Sequence, residues 1–377
     1  MEQIMSVPLL DLNKQYEQIK NELEAAALAV CRSGKYILGE TVERFEREAA
    51  AYCGAGAALG VSSGSDALLM ALMDAGVGRD DEVLTTTFTF FATVGAIIRL
   101  GAKPVFADID PATFNFDEDA AIAAITERTK AVIAVHLFGR WCPLDRLLAV
   151  CEKRGIVLIE DAAQAIGSED AKGRRAGSVG HYGAFSFFPS KNLGACGDGG
   201  LLTVRDAATA ARVKLLRNHG MNPPYLHHVV GGNFRLDALQ AAILSVKLRY
   251  LEGWHAGRRA NAERYADAFA EARVPTDKVT LPTPGAGRHI FNQFTLRCAD
   301  RDGLLAHLRQ QNIGAAVYYP HCMHLQPCLA GMGWKDGAFP EAERAAREVL
   351  SIPVYPELTA AQQLEVARAI AAFYRGN

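Results

Sequence analysis

The chain has 377 residues, half of them apolar and 22% charged, so it is too long for one ordinary hydrophobic core and too apolar for a disordered protein. Its 40 basic and 42 acidic residues leave a net charge of -2, which excludes a broad basic field for nucleic acid. No apolar run approaches the roughly 20 residues that span a bilayer, and the eight scattered cysteines, with an acidic first stretch lacking an apolar signal core, point to reduced thiols in a cytoplasmic protein.

After the opening V-P-L-L-D-L, Tyr16, Ile19, Leu23, Ala26 and Val30 recur at helical spacing, and Ser33-Gly34 closes the helix. Gly54, Gly56 and Gly60 precede a strand at 58–62 instead of following one, so they read as a turn and not as a dinucleotide loop. S-S-G-S-D then opens a helix over 67–74. Its positive end offers a phosphate the backbone N–H groups of Gly64 and Ser65, and the Asp66 carboxylate is expected to point away. Strands over 82–87, 104–108, 131–135 and 156–160 alternate with helices, two of them near 117–124 and 144–154, which implies a mostly parallel sheet covered on both faces. His136 reads as a strand-end residue, not a catalytic one.

The stretch 183–202 has a different character. A strand over 184–188 runs into a polar turn with Ser190 and Lys191, a glycine-rich crossing and a second strand over 200–204. Lysine is ordinarily a solvated surface residue. Here aromatic neighbours, Phe187 and Phe188, place the amine where desolvation lowers its pKa and makes it a nucleophile toward a carbonyl. Asp161 follows the buried run 155–160, and ligands of open α/β sheets sit outside the carboxyl ends of the strands, so Asp161 and Lys191 are placed to face one crevice. A lysine bound to an aldehyde and an aspartate against a pyridinium nitrogen are what pyridoxal phosphate (PLP) requires.

Downstream, Arg217 to Gly220 and 229–233 form a long irregular crossing, and Leu236, Leu239, Ile243, Val246 and Tyr250 mark a helix. A charged helix over 257–272 and a proline- and glycine-rich loop over 275–287 open a smaller unit. Strands over 291–297 and 315–319 and helices over 303–311 and 361–374 complete it. The division is drawn as a large unit of 1–250 and a smaller one of 251–377. His321, Cys322 and His324 are too crowded for the usual zinc spacings, and no metal is expected.

Five ordered motifs, S-S-G-S-D-A-L (62–68), F-T-F-F-A-T (88–93), E-D-A-A-Q-A (160–165), S-F-F-P-S-K-N-L-G (186–194) and G-N-F-R-L-D-A-L-Q-A-A-I-L (232–244), resemble those of the DegT/StrS-type sugar-nucleotide aminotransferases. The likeness runs from 7–12 to 351–359. It implies the fold-type-I aminotransferase architecture: α/β, with a large mostly parallel mixed sheet covered by helices and a smaller C-terminal α+β domain. It implies that Lys191 carries PLP, that Asp161 holds the ring nitrogen, that Ser186 contacts the phosphate and that Gln164 lies near the ring hydroxyl. Phe90, in preference to Phe88, is the ring that stacks on the pyridine. Asn233 would reach the PLP phosphate of the neighbouring subunit in a homodimer, with Arg235 near the nucleotide diphosphate. Tyr319 and His321 form a candidate substrate wall in Y-Y-P-H, a motif that keeps His324 but has Cys322 where the family more often has proline.

The activity so implied is transfer of an amino group, from glutamate in this reading, to a keto-sugar nucleotide, with Lys191 as general acid and base. G-D-G-G at 197–200 resembles enzymes acting at sugar C3, whereas those acting at C4 more often carry G-E-G-G, so a 3-keto sugar on UDP or dTDP is favoured. The alternatives are a C4 aminotransferase, a PLP-dependent sugar dehydratase, in which histidine replaces the lysine, and a PLP-binding regulatory homologue without turnover.

Overall fold

The structure, a computed structural model, describes residues 6–283 and 285–376. α1 (Leu12–Ser33) starts at Asp11, whose side chain accepts from the N–H groups of Asn13 and Lys14 at 3.1 and 3.3 Å, and ends at Gly34 with a φ of 65°. Its buried stripe of Ile19, Leu23 and Val30 falls on the periodicity read from the sequence. α2 (Glu40–Cys53) has no counterpart in that reading, although Val42, Phe45, Ala49 and Cys53 make its buried face.

Strands and helices then alternate: β1 (Ala57–Val61), α3 (Gly64–Asp74), β2 (Glu82–Thr86), α4 (Phe91–Arg99), β3 (Lys103–Ala107), α5 (Glu118–Ala123), β4 (Thr129–Val135), α6 (Asp145–Arg154), β5 (Val157–Asp161), β6 (Tyr182–Ser186) and β7 (Gly200–Val204). The strands form one sheet in the order β1-β7-β6-β5-β4-β2-β3. Only β7 runs against its neighbours; the pairings from β6 through β3 are parallel. Its central strands are buried on both faces, which is why they read as continuous apolar runs instead of alternating ones. The strand read at 184–188 lies two residues earlier: the Phe187 N–H still donates to Gly199 O at 2.8 Å, but its carbonyl leaves the ladder to accept from Ala195 N–H at 2.7 Å.

α7 (Ala207–Arg217), also absent from the sequence reading, is followed by α8 (Ala238–Leu248) and α9 (Leu251–Ala272). α9 begins six residues before the helix read at 257 and joins two cores: Leu251 and Trp254 pack under the large sheet, while Tyr265, Phe269 and Ala272 pack into the second. That second core surrounds a three-stranded antiparallel sheet, β10-β9-β8, made of β8 (Val279–Thr280), β9 (Phe294–Cys298) and β10 (Val349–Ile352). α10 (Arg301–Gln310) and α12 (Ala360–Gly376) contribute Leu304, Leu308, Val366 and Ile370 to it, and α11 (Pro340–Glu348) leads into β10. Val7 belongs to this core as well, bridging to Ile313, so the start of the chain reaches into the C-terminal part.

One strand is corrected. Residues 315–319 do not form one; only Ala316 exchanges hydrogen bonds with Ser351, at 3.1 and 2.8 Å. Beyond it Tyr318 and Tyr319 turn to a cavity, and Pro320 has no N–H with which to continue a ladder.

Candidate active site

Asp161 is the last residue of β5, paired with Val135 of β4 on one side and Ala184 of β6 on the other. Its buried carboxylate accepts from Thr93 Oγ1, in α4, at 2.8 Å and from the Ala163 N–H at 3.2 Å. Burial pushes its pKa up, and these donors with the nearby Lys191 charge offset only part of that rise. Such a carboxylate gains strongly from a cationic N–H partner.

Lys191 comes from the turn that carries the chain from β6 back into β7, where its N–H donates to Phe188 O at 2.8 Å. Burial lowers its amine to about 8, against an opposing pull from Asp161. Both residues line one cavity of about 460 Å³ at the carboxyl ends of the parallel strands. Gly64, Ser65, Phe90, Gln164, Ser186 and Tyr319 line it too.

Glycine makes this arrangement possible at two points. A Cβ on Gly64 would lie 2.9 Å from Ser186 Cβ, and one on Gly200 would lie 2.4 Å from the carbonyl carbon of Ser63. The start of α3 is thereby set directly on β6 and β7. Ser63 caps it by accepting from Asp66 N–H at 3.1 Å, while the N–H groups of Gly64 and Ser65 have no acceptor within the helix. The Asp66 carboxylate turns back to the Ser62 and Ser63 hydroxyls, at 2.6 and 3.0 Å, and does not line the cavity.

Phe90 and Phe88 part company: Phe90 is exposed and lines the cavity, whereas Phe88 is buried in a core. Gln164 is fixed at both ends, its Oε1 accepting from Phe138 N–H at 2.7 Å and its Nε2 donating to the Tyr319 hydroxyl at 3.0 Å. Burial raises the Tyr319 phenol, which therefore stays protonated.

Three of the residues read as site residues do not join this cavity. Asn233 is exposed and bridges to Asn218, Arg235 donates to Asn218 Oδ1 at 2.6 Å, and His321 is exposed. The histidine that packs inward nearby is His324, held between Thr87 Oγ1 at 2.7 Å and Glu343 Oε1 at 3.1 Å, with both ring nitrogens engaged. Among the described residues no group of three His, Cys, Asp or Glu could hold a metal ion.

The sequence reading passed over Thr93, although F-T-F-F-A-T contains it and a helix starting at Phe91 turns it back toward β5. His136 lines the cavity as well. Its Nδ1 accepts from Cys142 N–H at 2.9 Å, so the proton sits on Nε2, which donates to Glu160 at 2.8 Å. Glu160 also accepts from the N–H groups of Gly177, Val179 and Gly180. Burial would push this carboxyl up, but these donors prevail and hold it below the ordinary glutamate value.

The profile of the DegT/DnrJ/EryC1/StrS aminotransferase family matches residues 17–371. The chain belongs to this family. These aminotransferases depend on PLP, and the cavity fits that group: a desolvated amine, a buried carboxylate and a helix start with free N–H groups converge on one space. The aminotransferase is 50% identical, over 98% of its own length and 99% of the other, to a protein of Geobacillus stearothermophilus named a pleiotropic regulatory protein. It is 40% identical to a dTDP-3-amino-3,4,6-trideoxy-alpha-D-glucose transaminase of Streptomyces venezuelae, over 97% of this chain and 95% of the other. The crystal structure of S. venezuelae DesV in complex with a ketimine intermediate superposes with a TM-score of 0.93 at 40% identity, covering 97% of this chain and 98% of that one.

Proposed function

We propose that this aminotransferase moves an amino group from glutamate to C3 of a 3-keto sugar carried on dTDP or UDP. The reading is carried by the pairing, in one cavity, of a lysine whose amine is lowered to about 8 with a buried aspartate of raised pKa. The named substrate chemistry of the S. venezuelae transaminase and the G-D-G-G after Lys191 both favour C3.

When bound, PLP supplies a reactive aldehyde and an electron sink. Lys191 would hold that aldehyde through its nucleophilic amine, and the same amine is placed to carry a proton to and from the donor's α-carbon. Asp161, steadied by Thr93 and Ala163, holds the proton on the ring nitrogen. The start of α3, with Ser186, receives the phosphate. Gln164 and Tyr319 present polar hydrogens to the same space, and Phe90 covers it.

Asn233 and Arg235 are proposed to serve the cavity of a second copy. They lie outside the cavity of their own chain, on a segment where Tyr225, Leu226 and Val230 are exposed, an apolar arm suited to burial against another subunit.

A regulatory reading is favoured by one observation, the name of the 50% identical relative. Incubation with PLP and glutamate separates the two. An aminotransferase shifts the bound cofactor to its pyridoxamine form and releases 2-oxoglutarate, and a passive binder does neither. Amine incorporation across a panel of 3-keto and 4-keto sugars on dTDP and UDP then tests the position; transfer to 4-keto sugars alone would refute it.

A further inference from the structure

A second cavity of about 90 Å³ lies beside the first. Ser190, Gln293 and Tyr318 line both, so the small cavity is a side lobe that shares a wall with the large one, one residue from Lys191. The small lobe contains one charged group, Arg258, from the middle of α9. Arg258 is only 5% exposed. Its Nη1 donates to the carbonyls of Phe291 at 3.1 Å and Asn292 at 3.4 Å. The rest of its guanidinium has no acceptor among the described residues and is not sealed off from the lobe. Glu357 acts on its charge only at longer range, without an ion pair.

A buried guanidinium with no carboxylate in direct contact keeps a desolvation cost that a distant charge offsets only in part, and its planar fork of donors matches a carboxylate's two oxygens. The shared wall beside Lys191 sets the lobe next to the reacting centre. Its volume, about three waters' share of liquid, suits a carboxylate on a short methylene stem and excludes a sugar or a nucleotide. We propose that this lobe is the subsite for the side-chain carboxylate of a dicarboxylic amino donor, with Arg258 as its anchor. The inference rests on the aminotransferase reading and deepens it: the large lobe takes the sugar nucleotide, the small one selects the donor.

The test crosses variant with donor. PLP-loaded wild type, Arg258→Met and Leu9→Trp are mixed with glutamate or with alanine, which lacks the distal carboxylate, and conversion of the cofactor is followed by absorbance in single turnovers. Arg258→Met is expected to raise the half-saturating glutamate concentration at least about tenfold, equivalent to about 1.4 kcal/mol, while alanine's changes much less. Leu9 lines the lobe without belonging to the buried core, so Leu9→Trp fills the space and leaves Arg258 and its carbonyl contacts in place. It is expected to show the same glutamate-specific loss, and it decides the matter if Arg258→Met does not fold. Calorimetric titration with glutarate, which needs no turnover, should weaken by a similar factor in both variants. Equal losses for glutamate and alanine would show a purely structural role and overturn the subsite, as would variants indistinguishable from wild type. A wild type that converts with neither amino acid overturns the aminotransferase reading and the subsite together.

Discussion

Lys191 offers the most direct test of the site. Burial strips water from its amine and lowers it to about 8, while the Asp161 charge pulls the other way. At pH 7 an amine of pKa about 8 is neutral in roughly one molecule of eleven, against about one in 2,500 for an ordinary lysine, so the nucleophilic form is enriched a few hundredfold. NMR titration of cofactor-free protein carrying 13C-labelled lysine, with the Lys191 signal identified by its loss in Lys191→Ala, is expected to give a midpoint near 8. Asp161→Asn sharpens the test because its sign is fixed. The carboxylate raises the amine, so removing it leaves burial unopposed and moves the midpoint down, by about one unit. A wild-type midpoint above about 9.5, near the ordinary lysine value, would refute the claim that the protein desolvates this amine. An upward move in Asp161→Asn would refute the pairing.

Three further perturbations probe the walls of the site. Thr93→Val deletes the hydroxyl that donates to Asp161 at 2.8 Å; a lost hydrogen bond to a charged group is worth about 1.5–3 kcal/mol, so kcat is expected to fall roughly ten- to a hundredfold with little change in KM for the sugar, checked by steady-state kinetics. Gly64→Ala brings a Cβ to 2.9 Å from Ser186 Cβ; overpacking of about 1–3 kcal/mol should lower the melting temperature, and displacement of the α3 start should weaken PLP binding, measured by fluorescence titration. Glu160 is held below the ordinary glutamate value, so its stabilising contribution is complete above that value and is lost as pH falls through the lower, folded-state one. Glu160→Gln is therefore expected to melt earlier than wild type at pH 7, by about 3 kcal/mol, with the gap closing below pH about 4; a gap independent of pH would refute the assignment.

The large sheet was legible because its strands are buried on both faces and its helices are amphipathic, so apolar runs and helical stripes alternate along the chain. Asp161 and Lys191 were legible for a related reason: Asp161 ends a strand that the sequence marks, Lys191 lies in the turn that follows another, and in a parallel sheet the carboxyl ends lie along one edge. α2 and α7 escaped although each carries a signal. Val42, Phe45, Ala49 and Cys53 recur at helical spacing, and Asp206 caps α7 by accepting from Thr209 N–H at 2.8 Å. Their polar faces are rich in charge, which hides a narrow stripe. The supposed strand over 315–319 failed in the opposite way, since aromatic and β-branched residues read as strand also when they wall a cavity.

The residues that no local pattern reveals are those whose meaning is set by distant contacts. Arg258 lies in a charged helix and looks like a solvent-facing arginine, yet its partners are backbone carbonyls 33 and 34 residues away, and only the fold turns it inward. Asn233 and Arg235 show the converse: their motif marks them, but in the folded chain they leave their own cavity. Lys191 and Asp161 differ from both groups because the sheet that brings them together also supplies the local pattern by which each was found. The lysine and aspartate are thus legible at strand ends, where sequence and topology coincide, whereas Arg258, Asn233 and Arg235 take the roles proposed for them from contacts that span the chain or, in the proposed dimer, join two copies of it.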